Sequence, residues 1–487
     1  MLFNSYIFIF LFFPLTLLGY YGLNYACKYK ASLAFLVGMS LWFYGYNNIW
    51  YLLILIVSII MNYGIVYGMA HFSEKKLRRL FLVCGLALNI GILFYFKYYD
   101  FFIENINAAL KSELPFLRLA LPLGISFYTF QQLSYVIDCY RQECTPYSFL
   151  EYAAYVSYFP QLIAGPIVYH SELIPQFRDE SKKRLNFDNL SKGLYAFSLG
   201  LSKKVLLADT FSKIVTAGYA GIPELNTSSA ILVIVCYSLQ IYFDFSGYCD
   251  MAYGMAYMMN IELPQNFNSP YKAGSVSEFW DRWHMTLTRF FTKYVYIPLG
   301  GSRVGTLKTC RNVFIVFLVS GIWHGANWTF IVWGILHGIW MILERLFKVR
   351  TWKLPRFFKI SFTFVFVTLA WSIFRAESLS DVLLLWNRLF TGGFGPLYEP
   401  IAIAAESITE VEVLYRIGLG NLITSHPFFI PSLFAGVSLI ACVFMKNTQE
   451  KTITLKLSNR KFMVVVLLML WSILSLSQIS EFLYFNF

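Results

Sequence analysis

Two histidines lie where an apolar chain has least reason to hold them. His324 sits in "SGIWHGANWTF" (320–330), flanked by Trp323 and Trp328, with Gly321, Gly325 and Asn327 around it. His284 sits forty residues earlier, in "SEFWDRWHMTLTRFFTKYVYIPLGG" (277–301). An ionisable group at membrane depth is costly and is read first as functional. A neutral imidazole is also the natural general base near pH 7. The alternative for His324 is a packing motif in which the ring bonds a neighbouring helix, because buried polar groups also join helices. For His284 it is an interfacial amphipathic helix: Trp280, Trp283, Leu287, Phe290 and Phe291 share one side, with Asp281, Arg282, Arg289 and Lys293 elsewhere.

Other polar residues are read more plainly. Asp244, in "QIYFDFSGYCDMAYGMAYM", is a carboxylate inside an apolar helix. It could pair with an arginine of the Arg282 region or orient a histidine; a structural pair between helices is the simpler reading. His337 reads as packing, while His71, His170 and His426 flank apolar runs and read as solvated or interfacial. No HExxH, GxSxG, P-loop or GxGxxG pattern occurs, which argues against a zincin, an α/β-hydrolase, an ATPase or a dinucleotide enzyme. The eight cysteines form no CxxC pair. Cys139 and Cys144 are the closest, in a loop assigned to the cytoplasm, so no disulfide is expected.

The elements that must position these groups are membrane helices. The 487 residues are 57% hydrophobic and 14% charged, against about 25% charged in soluble domains. Apolar runs predict spans near 4–24, 31–46, 49–70, 79–96, 117–137, 152–168, 192–218, 229–259, 312–343, 358–374, 427–445 and 462–480. The run 312–343 is too long for one crossing, and several others are broken by Gly or Pro. The expected fold is therefore all-α and polytopic, with roughly 10–12 membrane helices, some broken or re-entrant. The net charge of +12 is dispersed between apolar runs, which argues for topology and against nucleic-acid binding. Basic stretches at 27–30, 74–79, 141–144, 181–184, 348–359 and 446–461 are assigned to the inner face, placing both termini outside. The first lysines follow the first apolar run, so that run is read as a retained helix and not a cleaved signal. The chain divides into N-terminal scaffold helices (1–115), a central core (116–345) whose apolar runs are crossed by Gly, Pro, Gln, Asp and His, and C-terminal helices (346–487). Irregular backbone at membrane depth is tolerated only inside protein or along a cavity, so the chemistry is expected in the core.

Several stretches together resemble the membrane-bound O-acyltransferase family, in its bacterial polysaccharide-acetylating branch. They are "LPLGISFYTFQQLSYVIDCYR" (121–141), "YFPQLIAGPI" (158–167), "GLSKKVLLAD" (200–209), "YSLQIYFDFSGYCDMAYG" (237–254), "NFNSPYKAGSVSEFWDRWHMTLTRFFTKYVYIPLGG" (266–301), "SGIWHGANWTFIVWGILHG" (320–338), "LAWSIFRAESL" (369–379) and the "YFNF" tail. The family's signature histidine maps to His324 and its upstream polar position to His284. "TRFFTKYVYIPLGG" varies a commoner Trp-Phe-Arg-Asp stretch, which leaves the roles of Arg289 and Lys293 open.

The resemblance implies a helical bundle around a tunnel that brings a cytoplasmic acyl donor to an acceptor outside. His324 is then the base that deprotonates an acceptor hydroxyl, and His284 positions the donor or stabilises the oxyanion. Trp323, Asn327, Trp280, Arg282 and Asp244 are expected along the substrate path. The donor is an acetyl thioester, acetyl-CoA or an acyl-carrier thioester, with no bound cofactor and no metal required. The partners implied are an exported cell-envelope polysaccharide of alginate or peptidoglycan type, a periplasmic acetyltransferase or accessory protein, and the bilayer of the inner membrane. Two alternatives remain: D-alanyl transfer to teichoic acid, and a non-enzymatic transporter of acyl groups or lipid-linked sugars.

Overall fold

A computed structural model describes residues 1–476 and 482–483; the end of the expected 462–480 span and the "YFNF" tail lie outside the described residues. Every regular element among the described residues is helical. Among the described residues, seven helices are long and apolar enough to cross a membrane: Phe8–Tyr25, Ile49–His71, Lys75–Leu110, Thr227–Met258, Thr306–His324, Trp328–Leu346 and Arg356–Arg375. Shorter helices at Tyr29–Gly45, Phe429–Phe444 and Asn459–Leu474 occupy three further expected spans. Two apolar runs are not simple crossings. The 117–137 run is helical only from Ile125, and the 152–168 run splits at Tyr158 into Phe149–Ser157 and Phe159–Leu162. In the most apolar stretch of the Thr227–Met258 helix 89% of the residues are buried, whereas in the other long apolar helices that share is 17–44% and much of the surface faces outward. A helix apolar all round is expected to be enclosed by protein or lipid, and this one is enclosed by protein.

The chain forms two compact units. One comprises Met1–Ser198 and Tyr248–Pro264. Its helices are joined by polar side chains that satisfy one another. Asn62 and Asn89 exchange amide bonds of 3.3 and 2.6 Å between Ile49–His71 and the following helix. Gln132 donates to Ser58 Oγ at 2.9 Å and accepts from the Tyr152 hydroxyl at 3.2 Å. Such bonds are each worth about 0.6–2 kcal/mol in a bilayer and fix which helix faces meet. His170 lies here and corrects its solvated reading: it is 2% exposed and bonded to Asp138.

The other unit comprises Leu199–Gly247 and Gln265–Leu483 and contains both His284 and His324. The long 312–343 run resolves into two helices, Thr306–His324 and Trp328–Leu346. Gly325 leaves the first in extended conformation, and Asn327 caps the second by accepting the Thr329 N–H at 3.0 Å. The two helices pack backbone to backbone at Gly321 and Gly334. A Cβ on Gly334 would stand 2.5 Å from the Phe317 carbonyl oxygen, and one on Gly321 2.5 Å from that of Phe330. Small residues at a helix crossing permit this approach. Alanine is the better helix former by about 1 kcal/mol, yet the clash is with backbone that cannot swing aside. Gly334→Ala is therefore expected to lower stability by about 1–3 kcal/mol. Gly64→Ala, whose added carbon meets nothing within 4 Å, is expected to leave it unchanged or raised. Thermal unfolding of the two variants in one detergent checks the opposite signs.

Candidate active site

His284 and His324 meet through one indole. The Trp323 ring centroid is 4.9 Å from His324 and 6.2 Å from His284, tilted to both. His324 ends its helix and is 3% exposed, with Trp333 and Phe374 edge-on at 5.2 Å each. Trp333 in turn stacks on Trp371 at 5.7 Å. The imidazole thus sits in an aromatic box at a helix break, where the chain after it turns away within three residues.

His284 is held by backbone shape and by one amide. The amphipathic helix expected across 277–301 is broken: Val276–Trp280 ends, a turn follows, and Met285–Phe291 restarts. The Trp280, Trp283, Leu287, Phe290 and Phe291 side chains are all buried, as their spacing implies. His284 itself stands at φ +46°, ψ +50°, a left-handed conformation that costs a non-glycine residue about 1–2 kcal/mol. The Asn266 Oδ1 atom offsets that strain. It accepts from the Thr286 N–H at 3.3 Å and the Thr286 hydroxyl at 2.8 Å, and lies 3.1 Å from His284 Nδ1. Burial pushes the His284 imidazole down to about 3, so the ring is neutral. A neutral ring facing a carbonyl oxygen carries its proton on Nδ1, which leaves Nε2 as an acceptor. Neither the break at 284 nor Asn266 was legible beforehand, because no glycine marks the turn and Asn266 is eighteen residues away.

The remaining expected residues are placed differently. Trp280 donates to His337 Nδ1 at 3.2 Å, so His337 anchors the turn that carries His284. The start of that segment is fastened to the Trp328–Leu346 helix, where the Glu344 carboxylate accepts the Val276 and Ser277 N–H groups at 2.7 and 2.8 Å. Asn327 caps its helix and donates to the Glu377 carbonyl at 2.8 Å. Arg282 turns to Glu278, 3.0 Å away, and to the Asn268 carbonyl. Asp244 pairs with Lys204 and not with an arginine: Lys204 Nζ is 2.7 Å from Asp244 and 2.8 Å from Asp209. The second Asp244 oxygen accepts the Leu483 N–H at 2.9 Å, and Lys204 lies 4.6 Å from the Phe482 ring. Asp244 is thus a structural ion-pair partner that also ties down the chain's end. The lysines of "GLSKK", set inside an apolar run, carry the sequence signal for such a partner. A cavity of about 610 Å³ is lined by residues such as Lys203, Leu206, Phe434, Val437 and Lys446, and by neither histidine.

This combination of broken helices and paired buried histidines defines a class. The chain belongs to the membrane-bound O-acyltransferase family, whose model matches residues 39–379, and it is a multi-pass membrane enzyme of that class. It is 40% identical to the "Peptidoglycan O-acetyltransferase" of Helicobacter pylori, over 100% of this chain and 98% of that protein. It is 38% identical to the "Probable alginate O-acetylase AlgI" of Pseudomonas putida, over 82% of each chain. The "Teichoic acid D-alanyltransferase" of Bacillus subtilis matches at 27% over 46% of this chain and 59% of its own. Family membership sets aside the transporter alternative.

Two variants test the local arguments. Asn266→Ala removes the acceptor that orients His284 and is expected to lower turnover about 10²-fold while helicity, read by circular dichroism, is unchanged. Lys204→Met strands a buried carboxylate and is expected to cost about 3–5 kcal/mol, whereas adding Asp244→Leu recovers most of the loss. Unfolding midpoints of the single and double variants give the comparison.

Proposed function

We propose that the protein transfers acetyl groups from a thioester donor on the cytoplasmic side to hydroxyls of an exported cell-envelope polysaccharide, peptidoglycan above all. The observation that carries this reading is the 40% identity along the full length of a peptidoglycan O-acetyltransferase, which extends past the family region into the C-terminal helices. The D-alanyl reading is weaker, because that relative matches under half of the chain.

The chemistry follows from the two rings. His324 takes the proton of the attacking hydroxyl as it adds to the thioester carbonyl; the thiolate leaves and the ester remains. A thioester is already activated, so general-base help of about 10²–10⁴-fold is the main requirement. His284, neutral and accepting at Nε2, holds a donor N–H or O–H, while Trp323 sets the spacing between the rings. Buried polar atoms of this unit that make no hydrogen bond within the described residues, among them Tyr237 Oη, Gln240 Oε1 and Trp371 Nε1, suit a path wetted by water or lined by substrate. A periplasmic accessory protein that carries the acetyl group onward fits an acceptor too bulky to enter a membrane, and the inner membrane is the site such a polymer requires.

The test is His324→Ala in a host whose exported polymer is analysed for ester-linked acetate. Acetylation is expected to fall by at least about 10²-fold with the protein still folded in the membrane. Acetylation at the unmutated level would overturn the assignment. The purified protein, given labelled acetyl thioester and either peptidoglycan fragments or alginate, is expected to label the former.

A further inference from the structure

The acyl-transfer reading leaves unused a buried cluster in the first unit. Helix Ile125–Tyr140 ends at Arg141, and Gln142 adopts φ +63°. The Glu143 N–H bonds back to the Asp138 carbonyl at 2.9 Å, closing the left-handed turn that commonly ends a helix. That turn carries the next residue, Cys144, back over the last helical turn, and its Sγ lies 2.7 Å from Cys139 Sγ, both as free thiols. Cys139 is 7% exposed and Cys144 half-buried.

The surroundings differentiate the two sulfurs. His170 Nε2 lies 3.1 Å from Asp138 Oδ2, both side chains nearly inaccessible, and Nδ1 lies 3.1 Å from the Tyr147 hydroxyl. Burial opposes charge on this ring, but interaction with the Asp138 carboxylate, followed by Cys144, outweighs burial and lifts it to about 9. His170 is thus favoured as a cation at neutral pH, held at Asp138 on the side of the turn that carries Cys144. The Cys139 hydrogen bond, followed by His170, holds the Cys144 thiol below its ordinary range despite burial. The same bond and burial hold Cys139 far above its own. Arg178, paired with Glu151, lies over the Tyr147 ring at 5.2 Å and so fixes the residue that faces His170 Nδ1. A stabilised thiolate touching a second thiol is the arrangement that thiol–disulfide exchange requires.

We propose that Cys139 and Cys144 form a modification site that reacts with small-molecule disulfides, Cys144 attacking and Cys139 resolving. The Cys144 thiolate attacks one sulfur of RSSR, forming Cys144–S–SR and releasing RS⁻. Cys139 then attacks the Cys144 sulfur, its proton passing to the second departing RS⁻. Two thiols are oxidised to one intrachain disulfide, and RSSR is reduced to two RSH. The bond closes the turn at the end of Ile125–Tyr140. This site stands apart from the acyl-transfer reading.

The full-length protein in detergent, treated with oxidised glutathione, blocked with N-ethylmaleimide and digested, provides the test by peptide mass. In the unmutated protein the peptide holding both cysteines is expected to lose two hydrogens and carry no glutathione. Cys139→Ser is expected to accumulate glutathione on Cys144. In Cys144→Ser, Cys139 is expected to react at least about tenfold more slowly than Cys144 does in Cys139→Ser. The proposal is overturned if the unmutated pair stays reduced while exposed Cys27 takes glutathione. It is equally overturned if glutathione settles on Cys139, or on both cysteines without an intrachain bond.

Discussion

A polar group inside an apolar bundle has no water to fall back on, and the rest of this structure follows from that constraint. Removing water raises the free-energy cost of an unpaired charge or amide by several kcal/mol, so charges above all are matched within the protein. Lys204 meets two carboxylates, Asn62 meets Asn89, Glu344 caps a helix start, and Asp138 meets His170. These pairings decide which helices are neighbours. Apolar side chains, indifferent to direction, could not do so alone.

The two buried histidines of the candidate site are held by their surroundings. His324 occupies a helix end because Gly321 and Gly334 let two helix backbones touch and the chain must reverse beyond them. His284 adopts a strained backbone because Asn266, Trp280 and the anchoring His337 hold the turn on either side. Backbone strain at a buried residue is a common property of functional sites, and His284 carries it in its left-handed conformation. Trp323 lies between the two imidazoles, so their separation is set by one rigid side chain and not by loop conformation.

The sequence by itself determined a good deal. Hydropathy gave the helical, membrane-spanning class, because apolar runs of this length have few other fates. The excess length of 312–343, together with Gly325 and Asn327, located the reversal at His324, since local capping chemistry is written in adjacent residues. Both histidines were visible as costly residues in apolar surroundings. What only the tertiary structure decided were relations between distant positions. Lys204 chose Asp244 across forty residues, Asn266 reached His284, and Trp280 took His337 as its acceptor. Cys144 was folded onto Cys139 by a left-handed turn at a glutamine, a conformation with no residue signature there. Periodicity reports the face a residue occupies; the partner on the facing helix depends on how the bundle closes, and that is set by the sum of many weak contacts that no local pattern records.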